Sequence, residues 1–83
     1  MYVAVVSPGW RGYRVSVYDG EGRLLAEERV EAEQVVVRGA LEVRLTRGMG
    51  GVGLVAVYRG EPRLEKRGPM LEVLPRGASG GEE

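Results

Sequence analysis

The side chains that could carry out chemistry are few in this 83-residue sequence. It contains no cysteine and no histidine, so the two commonest ligands of transition metals and the usual base of a nucleophilic serine are missing. Ser7 is a possible nucleophile, but nothing places the single lysine, Lys66, near it. Acidic residues are abundant, and their pattern is typical of surface charges. We therefore predict no catalytic residues, no metal site and no cofactor.

A glycine-rich segment at 48–53 matches the pattern G-x-G-x-x-G. In a dinucleotide site these glycines follow a strand and precede a helix, whose N-terminus binds the pyrophosphate. Here the following residues predict a strand, so the segment is interpreted as a loop. The alternative is a nest of backbone N–H groups that binds an anion beside Arg47.

The only tryptophan, Trp10, lies between two predicted strands and is followed by Arg11. A large ring at this place favours cover for the edge of a small core. An aromatic ring beside arginines can instead stack on a base or anchor a partner. The candidate residues for binding a partner or nucleic acid are Trp10, Arg11, Arg14 and Arg47.

Size and charge limit the class of protein. The length predicts one small domain at 1–75, with a flexible tail at 76–83 and a core of modest stability. Without a disulfide or a metal, a homodimer is the expected way to add stability, or else another protein is the partner.

Twelve basic residues balance twelve acidic ones, so the net charge does not indicate nucleic-acid binding. The lack of cysteine and of a long apolar segment predicts a cytoplasmic protein without a membrane partner. The absence of asparagine gives a composition typical of proteins from thermophiles.

Alternating apolar residues predict strands over most of the chain. The segments 13–18 and 23–28 flank a turn-forming run, Asp19-Gly20-Glu21-Gly22, and predict a β-hairpin. Further strands are predicted at 3–6 and 53–58, with short ones at 63–66 and 70–74.

The segment 31–47 is ambiguous. Acidic residues at its start and the absence of proline favour a helix. The β-branched run Val35-Val36-Val37 and the strict alternation of 41–46 favour strands instead. A hairpin that turns at Gly39-Ala40 is therefore the alternative.

The order of these elements resembles the first half of the ribonuclease H-like fold. Segments 3–9, 12–19 and 22–27 look like its first three strands, 31–48 is similar to its first helix, and 55–58 takes the place of its fourth strand. The resemblance implies that Glu33 corresponds to a metal-binding glutamate of type 1 ribonucleases H. Ser7 and the pair Tyr58-Arg59 stand where that family has catalytic aspartates. Two-metal hydrolysis needs several carboxylates, so the resemblance implies a truncated and inactive form.

We therefore expect an α+β domain with a three-strand antiparallel meander, one helix at about 31–47 and a further strand on the same sheet. The alternative is an all-β meander or a small barrel. The expected function is a non-catalytic module that acts through protein–protein contacts, including self-association. The alternatives are a nucleic-acid-associated protein and, more remotely, a metal-dependent nuclease centred on Glu33.

Overall fold

The structure, a computed structural model, describes residues 1–48 and 51–78. Within these residues, eight strands form a five-stranded sheet with the order β3-β2-β1-β6-β5 and a three-stranded sheet with the order β4-β8-β7. The strands are β1 (Tyr2–Gly9), β2 (Gly12–Tyr18), β3 (Leu24–Glu31), β4 (Gln34–Val37), β5 (Glu42–Gly48), β6 (Gly51–Tyr58), β7 (Pro62–Arg67) and β8 (Met70–Pro75).

The five-stranded sheet contains the predicted meander of β1, β2 and β3. Every neighbouring pair in this sheet is antiparallel, with Ala4 of β1 opposite Val17 of β2 and Ala56 of β6. The predicted hairpin of β2 and β3 is confirmed, and β6 extends the same sheet as expected. Beyond β6, the pairing with β5 completes the sheet.

The predicted helix at about 31–47 is absent, so the α+β prediction is wrong. These residues finish β3 and form β4 and β5, and the fold is nearly all β. The run Val35-Val36-Val37 pairs in parallel with β8, where β-branched side chains pack well. The alternative hairpin does not form either, because β4 and β5 belong to different sheets.

Gly39 lies on the crossing between the two sheets and has a φ of 69°. A Cβ atom at this position would lie 2.6 Å from Cγ of Pro75. Both the positive φ and the close approach of a neighbour require glycine here. Glycine at this position therefore permits the chain to leave one sheet and enter the other.

The core lies between the two sheets. Its most deeply buried members come from the central strands and from β8, and they are Ala4, Val6, Val15, Ala56, Tyr58, Leu71 and Val73. The Tyr58 hydroxyl donates a hydrogen bond of 3.0 Å to the carbonyl oxygen of Val73. This bond joins β6 of one sheet to β8 of the other.

Two predicted segments lie partly outside the described residues. The interpretation of the glycine-rich segment 48–53 as a loop is wrong for its described residues, because Gly48 belongs to β5 and residues 51–53 belong to β6. Residues 49 and 50 lie outside the described residues. The predicted tail begins with a 3₁₀ helix, Arg76–Ala78, and residues 79–83 are not described. No helix in the described part of the chain is long and apolar enough to cross a membrane.

Candidate interaction surface

The edge strand β5 exposes apolar side chains on the face of the sheet that elsewhere forms the core. Val43 lies opposite Ala56, and Leu45 lies opposite Leu54. Directly opposite residues share one face of a sheet, and Ala56 is fully buried on that face. Val43 is nevertheless 48% exposed and Leu45 is 73% exposed. The core-facing side therefore extends beyond the area that the three-stranded sheet covers.

This uncovered area continues onto neighbouring residues. Leu41, just before β5, is 50% exposed, and Val52 at the start of β6 is 55% exposed. We call Leu41, Val43, Leu45 and Val52 the β5 apolar strip. A cavity of about 190 Å³ adjoins it and is lined by Val6, Tyr13, Val35, Leu45, Val52, Gly53 and Leu54. The strip is thus continuous with the opening between the two sheets.

The opposite face of β5 is charged. Glu42 and Arg44 lie two residues apart on the same face of the strand, and the Arg44 guanidinium pairs with the Glu42 carboxylate. Both side chains are well exposed, at 49% and 75%. Over residues 42–45 the two faces of β5 therefore differ in polarity, with Val43 and Leu45 on one and Glu42 and Arg44 on the other.

The other three edge strands have features that discourage pairing with another chain. Charged side chains follow one another closely along β3, β7 begins with a proline, and β4 has only four residues. Charges, proline and short length each protect a sheet edge. Of the edges in the described ranges 1–48 and 51–78, β5 combines the greatest apolar exposure with a seven-residue length.

The predicted residues Trp10 and Arg11 lie together in the turn between β1 and β2. Trp10 is 74% exposed, so the interpretation of this ring as cover for the core is wrong. The guanidinium carbon of Arg11 lies 4.6 Å from the centre of the tryptophan ring, within the range of a cation–π contact. Arg29 donates a hydrogen bond of 3.3 Å to the Trp10 carbonyl oxygen. This turn is therefore an exposed aromatic position beside basic side chains.

The other two predicted arginines lie on different faces of the same sheet. Arg14 on β2 pairs with Glu27 at 3.7 Å and lies opposite Ser7, on the face away from the core. Arg47 on β5 lies opposite Val52, on the same face as the apolar strip. The four predicted residues therefore do not form one cluster.

Glu33 lies in the link between β3 and β4. Its backbone N–H donates to the carbonyl oxygen of Pro69 at 2.8 Å, and its own carbonyl oxygen accepts a hydrogen bond of 3.4 Å from the Tyr13 hydroxyl. It lines a cleft of about 610 Å³ together with Arg11 and Lys66. No group of three acidic residues that could hold a metal occurs in the part of the chain that the structure describes.

Within the described residues, Tyr58 and Asp19 have shifted pKa values for structural reasons. Burial raises the pKa of the Tyr58 hydroxyl to about 12. The pKa of Asp19 is lowered, chiefly because its carboxylate accepts a hydrogen bond from the Arg23 backbone N–H at 2.9 Å. Asp19 lies in the turn between β2 and β3, where it also accepts from the Glu21 backbone N–H. Tyr58 therefore links the sheets, and Asp19 organises a turn.

Glu72 is the one buried acidic residue among those described, with 4% exposure. It lies on the central strand β8, and its carboxylate pairs with Arg38 at 3.6 Å and Arg67 at 3.7 Å. Two arginines that flank a buried carboxylate compensate its charge. This cluster is accounted for by the folding of the three-stranded sheet.

Sequence reasoning did not identify the β5 apolar strip as a site. The alternation of Leu41, Val43 and Leu45 was visible as a strand pattern, but the pattern does not reveal that the strand lies at an uncovered edge. No family model, curated protein or solved structure matches the chain. The comparisons therefore do not bear on the ribonuclease H-like resemblance.

Proposed function

We propose that this protein is a non-catalytic interaction module that self-associates through β5. The observation that carries the proposal is the exposure of the β5 apolar strip beside the free edge of the five-stranded sheet. A second chain that pairs with this edge gains backbone hydrogen bonds and covers apolar side chains at the same time.

Both contributions favour association over an isolated chain. Covering apolar surface is favourable by about 25 cal/mol per Å² removed from water, and Val43 is 48% and Leu45 73% exposed. An edge of seven residues also has backbone N–H and C=O groups directed away from β6. Because the contact is narrow, we expect a weak dimer rather than an obligate one.

Sedimentation velocity over protein concentrations from ~1 to ~300 µM tests this proposal. The wild-type chain should shift from monomer to dimer across the range. Leu45→Lys should remain monomeric, because a charge replaces the most exposed apolar side chain of the strip and its exposure means that little native packing is lost.

Leu25→Lys is the matched control. Leu25 is 45% exposed and lies on β3, the opposite edge of the same sheet, so this variant should dimerise like the wild type. A wild-type chain that stays monomeric at every concentration contradicts the proposed function. Equal dimerisation of Leu45→Lys and the wild type contradicts the assignment of the surface.

A second candidate function is contact with single-stranded nucleic acid at the turn between β1 and β2. It is supported by the exposed Trp10 ring with Arg11 beside it, since bases stack on aromatic rings and arginine binds phosphate. Trp10 is the only tryptophan, so its fluorescence reports directly on this turn. Quenching by an oligonucleotide that weakens steeply with salt, and is reduced in Arg11→Ala, would support it. No change in fluorescence at low salt would rule it out.

A further inference from the structure

The sequence of β5 is self-complementary in one register, and this specifies how two copies would meet. We infer that two chains pair β5 with β5 in antiparallel orientation, with the two-fold axis at Val43. The inference rests on the proposed function and adds the partner strand, the orientation and the register. The charges and exposed side chains of β5 and of the preceding Leu41 support it.

The register of the two strands determines the face of the sheet on which each side chain lies. A shift of one residue in the register turns every side chain of a strand to the other face. Two copies of β5 bring their apolar faces to the same side of the joined sheet only when Val43 and Leu45 of one copy lie opposite odd-numbered residues of the other. The two-fold axis must therefore pass through a residue of β5, not between two residues.

An axis at Glu42, Arg44 or Leu45 brings unfavourable pairs together. An axis at Glu42 places two glutamates opposite each other, and an axis at Arg44 places two arginines opposite each other. An axis at Leu45 places Val43 opposite the charged Arg47. Like charges directly opposite in a sheet are unfavourable, and so is a charged side chain that loses water against an apolar one, so each of these registers has a mismatch.

The axis at Val43 has no such mismatch. It places Val43 opposite Val43, and Glu42 of each copy opposite Arg44 of the other. Opposite charges and apolar pairs directly across a sheet are both stabilising. Leu41 and Leu45 then also face each other across the seam. The charged face and the apolar strip are both complementary to themselves in the same register.

The resulting dimer has a continuous sheet of ten strands, twice the five of one chain. Because the axis is perpendicular to this sheet, the two apolar strips lie on the same face of the joined sheet, one on each side of the seam. The three-stranded sheets leave the strip uncovered in each chain, so there is room for the two strips to adjoin each other. The edges of β3 remain at the two ends.

A pair of charge-reversal variants tests the register. In Glu42→Arg, the new arginine would lie opposite Arg44 of the other copy. In Arg44→Glu, the new glutamate would lie opposite Glu42 of the other copy. Because each change places like charges opposite each other, each variant alone should dimerise about tenfold more weakly than the wild type. A mixture of the two variants restores opposite charges at both positions. We therefore expect the mixture to form heterodimers with nearly wild-type affinity in sedimentation velocity.

Glu21→Arg is the control for the change in net charge. Glu21 has an exposed side chain that pairs with Arg23 at 3.2 Å in the turn between β2 and β3, far along the chain from β5. This variant should dimerise like the wild type. Loss of folding in Glu42→Arg and Arg44→Glu cannot explain a recovery of dimerisation on mixing, because two unfolded variants would not recover affinity when mixed.

Single cysteine variants provide a second test, since the native chain has no cysteine. At the axis, Val43→Cys should form an intermolecular disulfide under mild oxidation, because directly opposite Cβ atoms lie about 4.5–5.5 Å apart. In Leu45→Cys the two thiols would be four residues apart along the strands, about 13 Å, and should cross-link at least tenfold more slowly.

The outcomes separate the register from the proposed function. Recovery on mixing together with the faster cross-link at position 43 supports the inference. Wild-type dimers without recovery, or with the faster cross-link at position 45, overturn the register and leave self-association standing. A wild-type chain that is monomeric throughout overturns both.

Discussion

The hydrogen bond between the two sheets gives a prediction with a specific dependence on pH. In Tyr58→Phe the ring that fills the core is kept, and the bond to the Val73 carbonyl oxygen is lost. That oxygen still accepts a hydrogen bond of 2.8 Å from the Arg38 backbone N–H, so it is not left without a partner. We therefore expect a loss of about 1 kcal/mol in the free energy of unfolding near neutral pH.

At high pH the difference in the free energy of unfolding between Tyr58→Phe and the wild type should disappear. Burial raises the pKa of Tyr58 to about 12, whereas a tyrosine in an unfolded chain has a pKa of about 10. A raised pKa gives a contribution that is complete below the unfolded value and is lost as the pH rises through the folded value. At about pH 11, ionisation stabilises the unfolded chain by RT ln(1 + 10) and the folded chain by only RT ln(1 + 0.1), a difference of about 1.4 kcal/mol.

The free energy of unfolding of the wild type falls by this difference of about 1.4 kcal/mol between neutral pH and about pH 11, because Tyr58 ionises in the unfolded chain, and that of Tyr58→Phe does not. The two free energies of unfolding should therefore converge near pH 11. Urea unfolding followed by far-ultraviolet circular dichroism measures both, since the exposed Trp10 is a poor reporter of the core. Tyr18→Phe, a control for removing a hydroxyl from a less buried ring, should stay within about 0.5 kcal/mol of the wild type near neutral pH. A gap between Tyr58→Phe and the wild type that is equal at both pH values would refute the reasoning.

Two other predictions concern Gly12 at the start of β2 and Asp19 in the turn between β2 and β3. Gly12→Ala should lower the free energy of unfolding by roughly 1–3 kcal/mol, because the added Cβ would lie 2.1 Å from the Val30 carbonyl oxygen. Gly60→Ala is the control, since a Cβ at that position meets no atom within 4 Å. In the same urea experiment it should change the free energy of unfolding by less than about 0.5 kcal/mol. In a carboxyl-carbon NMR titration, Asp19 should have a pKa below its usual value, so its contribution to stability is lost as the pH falls through that lowered value. Arg23→Ala should move the pKa of Asp19 only partly back, since the backbone N–H at position 23 remains; a full return to the usual value would contradict the assigned cause.

The strands were predictable where local residues decide the structure. The hairpin of β2 and β3 follows from alternating residues around Asp19-Gly20-Glu21-Gly22, and the Asp19 carboxylate indeed accepts backbone hydrogen bonds there. The segment 31–47 was predicted wrongly because a resemblance in the order of elements outweighed Val35-Val36-Val37, a run that favours strands. Local preference was the better guide there.

The assignment of strands to sheets was not predictable, because it depends on contacts distant in sequence. β4 and β5 are separated by four residues, 38–41, yet they join different sheets, and β4 pairs with β8 some 36 residues later, counting from Gln34 to Met70. The same limitation hid the candidate site. Leu45 and Val15 belong to similar alternating patterns, but one is 73% exposed and the other 1%, since only the final packing determines which strand lies at the edge.

Hydrogen exchange of individual backbone amides, measured by NMR at low and high protein concentration, tests the pairing of β5 most directly. We predict that amides of β5 become more protected as the concentration rises from ~20 to ~300 µM. Amides of β3, the other edge of the same sheet, should exchange at the same rate at both concentrations. Exchange in β5 that is independent of concentration, or protection that appears in β3 instead, would contradict self-association through β5.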